Sequence, residues 1–168
     1  MAFGLDDPRV VVLGTLSKAL GVHGGFVAGP AEVVELLVNR ARTFVFDTAL
    51  PPALAEAARR SVQLVRGAGD RRARLRENVE RLRGGLPSTG FAGAGSEVSP
   101  IVPLVIGSEA AALSLSRHLL DAGIVAPAIR PPTVPEATSR LRFSIRSSHR
   151  TEQLDRLIEA LKRCTVTL

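Results

Sequence analysis

The sequence predicts an α/β protein, and three observations support this fold class. Short apolar runs rich in β-branched residues, such as residues 10–13 and 101–106, indicate strands. Longer segments between them have apolar residues at helical spacing, and glycine or proline separates one segment from the next. At 168 residues and 45% hydrophobic, the chain can bury a sizeable core.

The first part of the chain predicts two strands and two helices. The apolar run at 10–13 indicates a buried strand, and a second short strand ends at Gly29-Pro30. A helix is predicted from Pro30 to Arg40, with acidic residues early and basic residues late, as the helix dipole favours. Residues 42–52 indicate a short strand or extended segment that two prolines stop, and 53–66 a long helix.

The second part begins after a break at Gly67-Ala68-Gly69, so we expect domains at 1–66 and 67–168. Helices are predicted at 70–83, at 108–122 between an N-cap at Ser108 and a stop at Gly123, and at 151–163. Strands are predicted at 101–106, 124–126 and 141–146, and loops at 84–100 and 130–139. Only about three strands precede the break, too few for a doubly wound sheet, so we expect further sequence upstream.

The charge and the composition of the chain limit the classes of partner that it is expected to bind. The net charge is +6, and the arginine-rich helix interleaves Glu77 and Glu80 with its cations while apolar residues recur at helical spacing. This pattern indicates a solvated helix face rather than a nucleic-acid site. The chain has no apolar run of membrane-spanning length and a single cysteine, Cys164. Residues 1–9 have neither the pattern of a signal peptide nor that of a transit peptide. We therefore expect a cytoplasmic protein that binds neither nucleic acid nor membrane.

Histidines and acidic residues predict no metal site, because no cluster of them has metal-ligand spacing. We expect His23 to have a role in its loop rather than in acid–base chemistry, and His118 and His149 to form local hydrogen bonds.

The glycine-rich segment at 14–25 is the strongest candidate for chemistry. It contains Lys18, one of two lysines in a chain full of arginine. Arginine stays protonated, whereas a desolvated lysine can lose its proton and attack a carbonyl carbon. Thr15 and Ser17 add hydroxyl groups, and the surrounding glycines allow backbone N–H groups to approach an anion. The alternative is a structural turn with an exposed lysine.

The run Thr-Leu-Ser-Lys-Ala-Leu-Gly-x-x-Gly-Gly, ending at Gly25, resembles the cofactor-lysine segment of the α-oxoamine synthases. These are fold-type I enzymes that use pyridoxal phosphate to condense an amino acid with an acyl-CoA thioester. The resemblance implies that Lys18 is catalytic and that Thr15 and Lys18 bind the cofactor. It also implies that 1–66 is the end of the large cofactor domain and 67–168 the small C-terminal α+β domain. The family's acid that pairs with the pyridine nitrogen and its ring-stacking histidine lie upstream.

A second matching segment, residues 46–52, resembles the part of the family in which a hydroxyl group reaches the cofactor phosphate of the neighbouring subunit. The resemblance implies this cofactor-binding role for Thr48, and a homodimer that shares its active sites between subunits. Capping of the helix that begins near Pro51 is an alternative role for Thr48, and it is compatible with the first.

A third segment, residues 128–142, resembles the signature of the pimeloyl-specific branch of the family, which acts in biotin synthesis. The resemblance to this branch implies substrate-binding roles for Arg130 and Arg142. Their planar guanidinium groups are suited to binding carboxylates. Arg140 lies on the same strand face and is expected to be a surface residue. Glu136-Ala137 departs from the Ala/Gly-Gly usual in the family, which should affect only the turn.

These resemblances imply an acyltransferase that condenses L-alanine with a pimeloyl thioester, carried by CoA or an acyl carrier protein, with loss of carbon dioxide. Glycine C-acetyltransferase, 5-aminolevulinate synthase and serine palmitoyltransferase share most of these motifs, so each stays an alternative. A third alternative is a chain without catalytic activity, either a truncated remnant or a module that binds a partner. We expect the 168-residue chain by itself to show no turnover.

Overall fold

The computed structural model describes residues 7–164 and divides the chain into two compact units, Met1–Ala68 and Gly69–Leu168. The sequence predicted a break after residue 66, within the same glycine-rich turn. Each unit is described separately.

The first unit is a β-hairpin followed by three helices. Strands β1 and β2 pair antiparallel, so that Val12 faces Ala28 and Thr15 faces Gly25. The hairpin and helices occupy the following ranges: β1 Val12–Thr15, β2 Gly25–Ala28, α1 Ala31–Arg40, α2 Arg42–Val45 and α3 Pro52–Arg66. The prediction of an α/β arrangement with helices at 30–40 and 53–66 agrees with these bounds.

The first strand is not buried as predicted. Among the described residues of this unit only Val22 is buried, and Leu13 on β1 is 75% exposed. β1 also begins at Val12, two residues later than the apolar run. The reason is that the described part of this unit pairs only two strands, and such a hairpin cannot cover both faces of its own apolar residues.

Residues 42–52 differ from the predicted strand or extended segment. Arg42–Val45 forms one helical turn, in which the N–H groups of Phe44 and Val45 donate to the carbonyl of Ala41. No described strand lies beside it to accept the backbone hydrogen bonds of an extended segment, so the local turn satisfies them. The Arg42 guanidinium lies over the Phe46 ring, 5.7 Å from its centroid.

The second unit is a three-stranded antiparallel sheet with helices on one face. The strand order is β3-β5-β4. Its elements are α4 Gly69–Gly85, a 3-10 turn at Leu86–Thr89, β3 Ile101–Gly107, α5 Glu109–Asp121, β4 Ala128–Ile129, β5 Ser139–Ser144 and α6 Thr151–Lys162. Helix α5 confirms the predicted ends: the Ser108 hydroxyl accepts from the N–H of Ala111, and Gly123 has φ +74°.

The predicted strand at 124–126 is wrong. Its backbone groups bond to helix α5 instead of to the sheet: the N–H of Ile124 donates to the Leu119 carbonyl, and the Ser116 hydroxyl donates to the Ala126 carbonyl at 2.6 Å. With those groups occupied, pairing begins two residues later, at Ala128.

The core of the second unit lies between the sheet and helices α4, α5 and α6. Alternate residues of β3 and β5 point into it, so that Leu104 and Leu141 are fully buried while Val105 and Arg142 are exposed. Helix α4 contributes Val79 and Leu82 and exposes its arginines as its pattern predicted, except for Arg83, which is partly buried and donates to the carbonyls of Ala94 and Ser96. The buried apolar residues of this core are Val79, Leu82, Leu86, Val102, Leu104, Ile106, Ala112, Leu115, Leu119, Ala126, Leu141, Phe143, Ile145, Leu154, Leu157, Ile158, Ala160 and Leu161.

The loop before β5 contains a residue in a costly conformation. Ala137 has φ +57°, the only positive φ of a non-glycine residue in the described chain. Left-handed backbone costs an L-residue roughly 1–2 kcal/mol, because Cβ crowds the following carbonyl oxygen. The departure from glycine in this segment therefore has a physical cost at Ala137.

We expect Ala137→Gly to stabilise the second unit. Relief of the left-handed strain should exceed the entropy that glycine adds to the unfolded chain, leaving a net gain of about 0.5–1 kcal/mol in the free energy of unfolding. Urea unfolding followed by circular dichroism measures this gain. The matched control is Ala92→Gly, also in a loop but without positive φ, which should destabilise the chain. Equal effects of the two substitutions would show that Ala137 carries no strain.

Candidate functional site

Lys18 lies in the loop between β1 and β2. The loop is closed at its base, where the N–H of Leu16 donates to the carbonyl of Gly24 at 2.9 Å. It is closed again inside, where the N–H groups of Val22 and Gly21 donate to the carbonyls of Leu16 and Lys18 at 2.8 and 3.0 Å. Val22 is buried and anchors the loop. Lys18 is thus held on a folded loop and not on a free chain.

Gly24 is a position that only glycine fits. Its φ is +118°, and a Cβ atom there would approach the Leu50 side chain to 2.8 Å. The positive φ strains any residue with a Cβ atom, and the Leu50 side chain would also have to shift. The close approach also places the segment around Leu50 against the lysine loop, within the first unit.

Two hydroxyl groups precede Lys18 and bond to each other. The Thr15 and Ser17 oxygens are 2.7 Å apart, and the Thr15 oxygen also accepts from the N–H of Ser17 at 3.1 Å. The Lys18 side chain is exposed and forms no hydrogen bond or ion pair with another residue in the described chain. The arrangement therefore presents an unengaged amine beside two fixed hydroxyl groups.

Thr48 lies in the exposed segment before α3. Its N–H donates to the Asp47 carboxylate at 2.9 Å. The alternative capping role is wrong, because the N-cap of α3 is Pro51 and no side chain caps that helix. The Thr48 hydroxyl is thus not used by the helix. Its predicted contact with a cofactor phosphate stays a prediction.

Arg130 follows β4 and is engaged by an acid. Its guanidinium donates to Glu109, in the first turn of α5, at 2.5 Å, with both side chains about half exposed. The structure does not bring Arg130 into one cavity with Arg142. Its predicted substrate role stays a prediction, and a ligand there would have to compete with Glu109.

Arg142 lies at the centre of β5, opposite Pro103 of β3. Its side chain is on the open face, while Leu141 and Phe143 on either side are buried. This confirms the predicted alternation along the strand. Arg142 lines a cavity of about 420 Å³ together with Ser144 and Arg146 from the same face. Arg140 is half-buried, and its Nε donates to the Thr138 carbonyl at 3.0 Å.

A polar contact that sequence reasoning missed fixes the turn after β5. The buried side-chain amide of Asn78, on α4, donates to the carbonyls of Arg146 and His149 at 2.8 and 3.1 Å. The N–H of Arg146 in turn donates to Nδ1 of His149 at 3.3 Å. The sequence feature that could have indicated this contact is Asn78 itself, an asparagine on the apolar stripe of an otherwise arginine-rich helix.

Other possible sites are absent from the described part of the chain. No group of three or more His, Cys, Asp or Glu residues could hold a metal ion among residues 7–164. The same residues contain no helix of the length and apolarity needed to cross a bilayer. Cys164 is a free thiol whose pKa is raised by partial burial.

Comparison with known proteins places the chain in a family. The family described as Aminotransferase class I and II matches residues 2–161. The chain belongs to this family. The match covers both structural units.

Named relatives are similar over nearly all of the chain. The 8-amino-7-oxononanoate synthase of Methylococcus capsulatus is 54% identical over 95% of this chain and 41% of its own length. The structure of the Francisella tularensis 8-amino-7-oxononanoate synthase gives a TM-score of 0.81 at 26% identity, covering 92% of this chain and 45% of that one. The structure of a serine palmitoyltransferase variant from S. paucimobilis, with a bound adduct of pyridoxal phosphate and myriocin, gives a TM-score of 0.86 at 31% identity. The match covers 95% of this chain and 40% of that one.

These similarities confirm two predictions. The fold is that of the fold-type I transferases, and the relatives belong to the α-oxoamine synthase group that the lysine segment resembled. The chain spans about two fifths of the length of the relatives it matches.

The His149 turn should make the second unit sensitive to acid. Partial burial first, and the charge of Arg146 second, lower the pKa of His149 below its usual 6.5. The folded state therefore favours neutral histidine, and the unfolded state binds more protons just below pH 6.5. Stability is complete above that pH and falls as the pH drops through the interval below it.

We expect hydrogen exchange in α4 and α6 to accelerate between pH 7.5 and 5.5, after correction for intrinsic rates. His149→Gln, which carries no titrating group, should reduce this acid effect. Mass spectrometry of peptides from the two helices measures both. His118→Gln removes an exposed histidine of α5 and should leave the acid effect unchanged. An identical response of the two variants would refute the assignment to His149.

Proposed function

We propose that the protein that includes this chain is a pyridoxal-phosphate-dependent acyltransferase. It condenses L-alanine with a pimeloyl thioester and releases carbon dioxide, forming 8-amino-7-oxononanoate for biotin synthesis. The observation that carries the proposal is Lys18, an unengaged amine on a closed loop beside the Thr15 and Ser17 hydroxyl groups. The 54% identity to an 8-amino-7-oxononanoate synthase favours this substrate pair over those of the serine palmitoyltransferases, at 31–33% identity.

The residues present fit the cofactor. A lysine amine is the group that bonds to the aldehyde of pyridoxal phosphate, and hydroxyl groups suit its phosphate. Lys18 would hold the cofactor through Nζ, with Thr15 beside it. Thr48, whose hydroxyl no helix uses, would hold the phosphate of the partner subunit's cofactor. The apolar exposure of this unit, with Phe46 78% exposed, supports a homodimer that covers part of it.

Two residues of this chain would act on the amino acid substrate. Arg142 binds the alanine carboxylate with its planar fork and orients the Cα–H bond. The cofactor, when bound, supplies an electron sink for the negative charge at that carbon. Lys18 Nζ would take the α-proton of the bound amino acid. The Cα carbon would then bond to the thioester carbonyl carbon as the C–S bond breaks and the thiol leaves, and the resulting β-keto acid would lose its carboxylate as carbon dioxide.

The two units then correspond to two parts of such an enzyme. We assign Met1–Ala68 to the end of the cofactor domain and Gly69–Leu168 to the small C-terminal domain. A chain without catalytic activity is the second candidate, and the observation that favours it is the match to only 41% of a relative's length.

Lys18 should be the residue that becomes attached to the cofactor. The test uses a chimera that joins this chain to the unmatched part of the Methylococcus capsulatus relative. After incubation with pyridoxal phosphate and reduction with borohydride, which makes the lysine–cofactor link permanent, mass spectrometry should find the added mass on the Lys18 peptide. Lys18→Ala should lose this mass and turnover while keeping its circular dichroism spectrum. Lys162→Ala is the matched control and should keep both.

Labelling of another residue in the wild-type chimera would refute the assignment of Lys18. Labelling of Lys18 without any turnover would favour the second candidate.

Arg142 should set the affinity for the amino acid. A charge-assisted bidentate pair contributes about 2–3 kcal/mol, and lysine cannot reproduce its geometry, so Arg142→Lys should weaken alanine binding roughly 30- to 100-fold. Titration of the chimera's visible absorbance with alanine measures the affinity. Arg140→Lys, whose parent side chain bonds to a carbonyl of its own loop, should have a far smaller effect. Similar effects of the two would make Arg142 a structural strand residue.

A further inference from the structure

The cavity beside Arg142 holds more positive charge than one carboxylate requires. We call it the arginine groove; it is the cavity of about 420 Å³ lined by Arg142, Ser144, Arg146 and Arg156, among others. It lies wholly within the second unit. No aspartate or glutamate lines it among the described residues. Its size is typical of a site for a small molecule.

Arg142 and Arg146 are both available to a ligand. Both side chains are exposed, and neither forms an ion pair or side-chain hydrogen bond with another described residue. Arg156 differs, because its guanidinium donates to the Ala122 carbonyl. The groove therefore offers two unengaged cations, which favours a ligand with two negative groups.

Arg146 is held in place although it lies beyond the strand. The N–H of Ile145 donates to the Pro100 carbonyl at 2.8 Å, which continues the extended backbone past β5. The Arg146 carbonyl accepts from Asn78 at 2.8 Å, and its N–H donates to His149. Its backbone is thus fixed on both sides, and the side chain starts from a defined position.

The groove also has apolar walls. Ile124, Leu154 and Leu157 line it together with the arginines. Methylene groups between two charged ends of a ligand would lie against such walls without burying an unpaired polar group. The ligand chemistry that fits is an aliphatic chain with a carboxylate at each end.

The spacing of the two arginines can accommodate the proposed product skeleton. Four residues of extended chain separate the Cα atoms of Arg142 and Arg146 by about 13 Å, and both side chains can lean inward. In the condensed product, before carbon dioxide leaves, eight bonds join the alanine carboxylate to the far carboxylate of the seven-carbon chain. At roughly 3.3–3.6 Å for every three bonds of an extended chain, this is about 9–10 Å.

We propose that Arg146 binds the distal carboxylate of the acyl chain while Arg142 binds the amino-acid carboxylate. Arg146 is then a specificity residue that selects a dicarboxylic acyl group over a monocarboxylic one of equal length. This inference rests on the proposed function for the identity of the acyl group. The groove as a site for dicarboxylates stands on its own geometry.

The first test measures binding to the 168-residue chain by equilibrium dialysis at pH 7.5. Heptanedioate and heptanoate have the same carbon number and differ by one carboxylate. The wild-type chain should bind heptanedioate up to about fivefold more tightly, because a second exposed charge pair adds a modest gain. Arg146→Gln should bring the ratio of the two affinities close to one. Arg117→Gln, which removes an exposed arginine of α5 outside the groove, should leave the ratio unchanged.

A preference for heptanedioate that survives in Arg146→Gln, or that falls equally in Arg117→Gln, would overturn the inference. So would equal binding of the two acids by the wild-type chain.

The second test separates this inference from the proposed function. In the chimera, Arg146→Gln should raise the KM for pimeloyl-CoA up to about fivefold and leave the KM for heptanoyl-CoA unchanged. If the Arg146→Gln chimera turns over pimeloyl-CoA with an unaltered KM, the proposed function stands and the role of Arg146 is refuted. A chimera that binds heptanedioate through Arg146, yet turns over no thioester with alanine, would overturn the function and keep the groove.

Discussion

The alternation of side chains along β5 is the constraint on which the second unit depends. Leu141, Phe143 and Ile145 point into the core, and that choice sends Arg142, Ser144 and Arg146 to the other face. A shift of the strand by one residue would bury the arginines and expose the leucine. The packing of helices α4, α5 and α6 on one face therefore leaves Arg142 and Arg146 exposed, and the arginine groove forms where β5 meets helix α6 and the loop after α5.

Elements with local signals were predictable. Helix α5 lies between a serine that caps its start and a glycine that ends it, and both act through atoms within a few residues. Helix α4 was recognised from the spacing of Leu75, Val79 and Leu82. The wrong strand predictions at 42–45 and 124–126 arose because those segments depend on distant parts of the chain. A short apolar run becomes a strand only if a distant segment pairs with it, and in both cases nearer acceptors satisfied the backbone.

The candidate site likewise combines local contacts, which the sequence predicts, with long-range contacts, which it does not. Lys18, Thr15 and Ser17 lie within four residues of one another, so their association could be inferred from the sequence alone. The pairing of Arg130 with Glu109 and the support of Arg146 by Asn78 join residues 21 and 68 positions apart, and no local pattern contains them. Arg146 ends the strand predicted at 141–146, but its cavity forms only where the loop after α5 and helix α6 meet β5.

The hydrogen bonds from Asn78 also bear on how the unit is synthesised. They join the first helix of the unit to the turn before its last helix, and α6 supplies Leu154, Leu157 and Leu161 to the same core that α4 enters first. Contacts between such distant parts of a chain form slowly, since a long loop must close before they are made. During translation, α4 emerges with its apolar stripe uncovered and cannot complete its core until α6 has left the ribosome. Until then the like charge of its exposed arginines opposes association with other copies of the same helix.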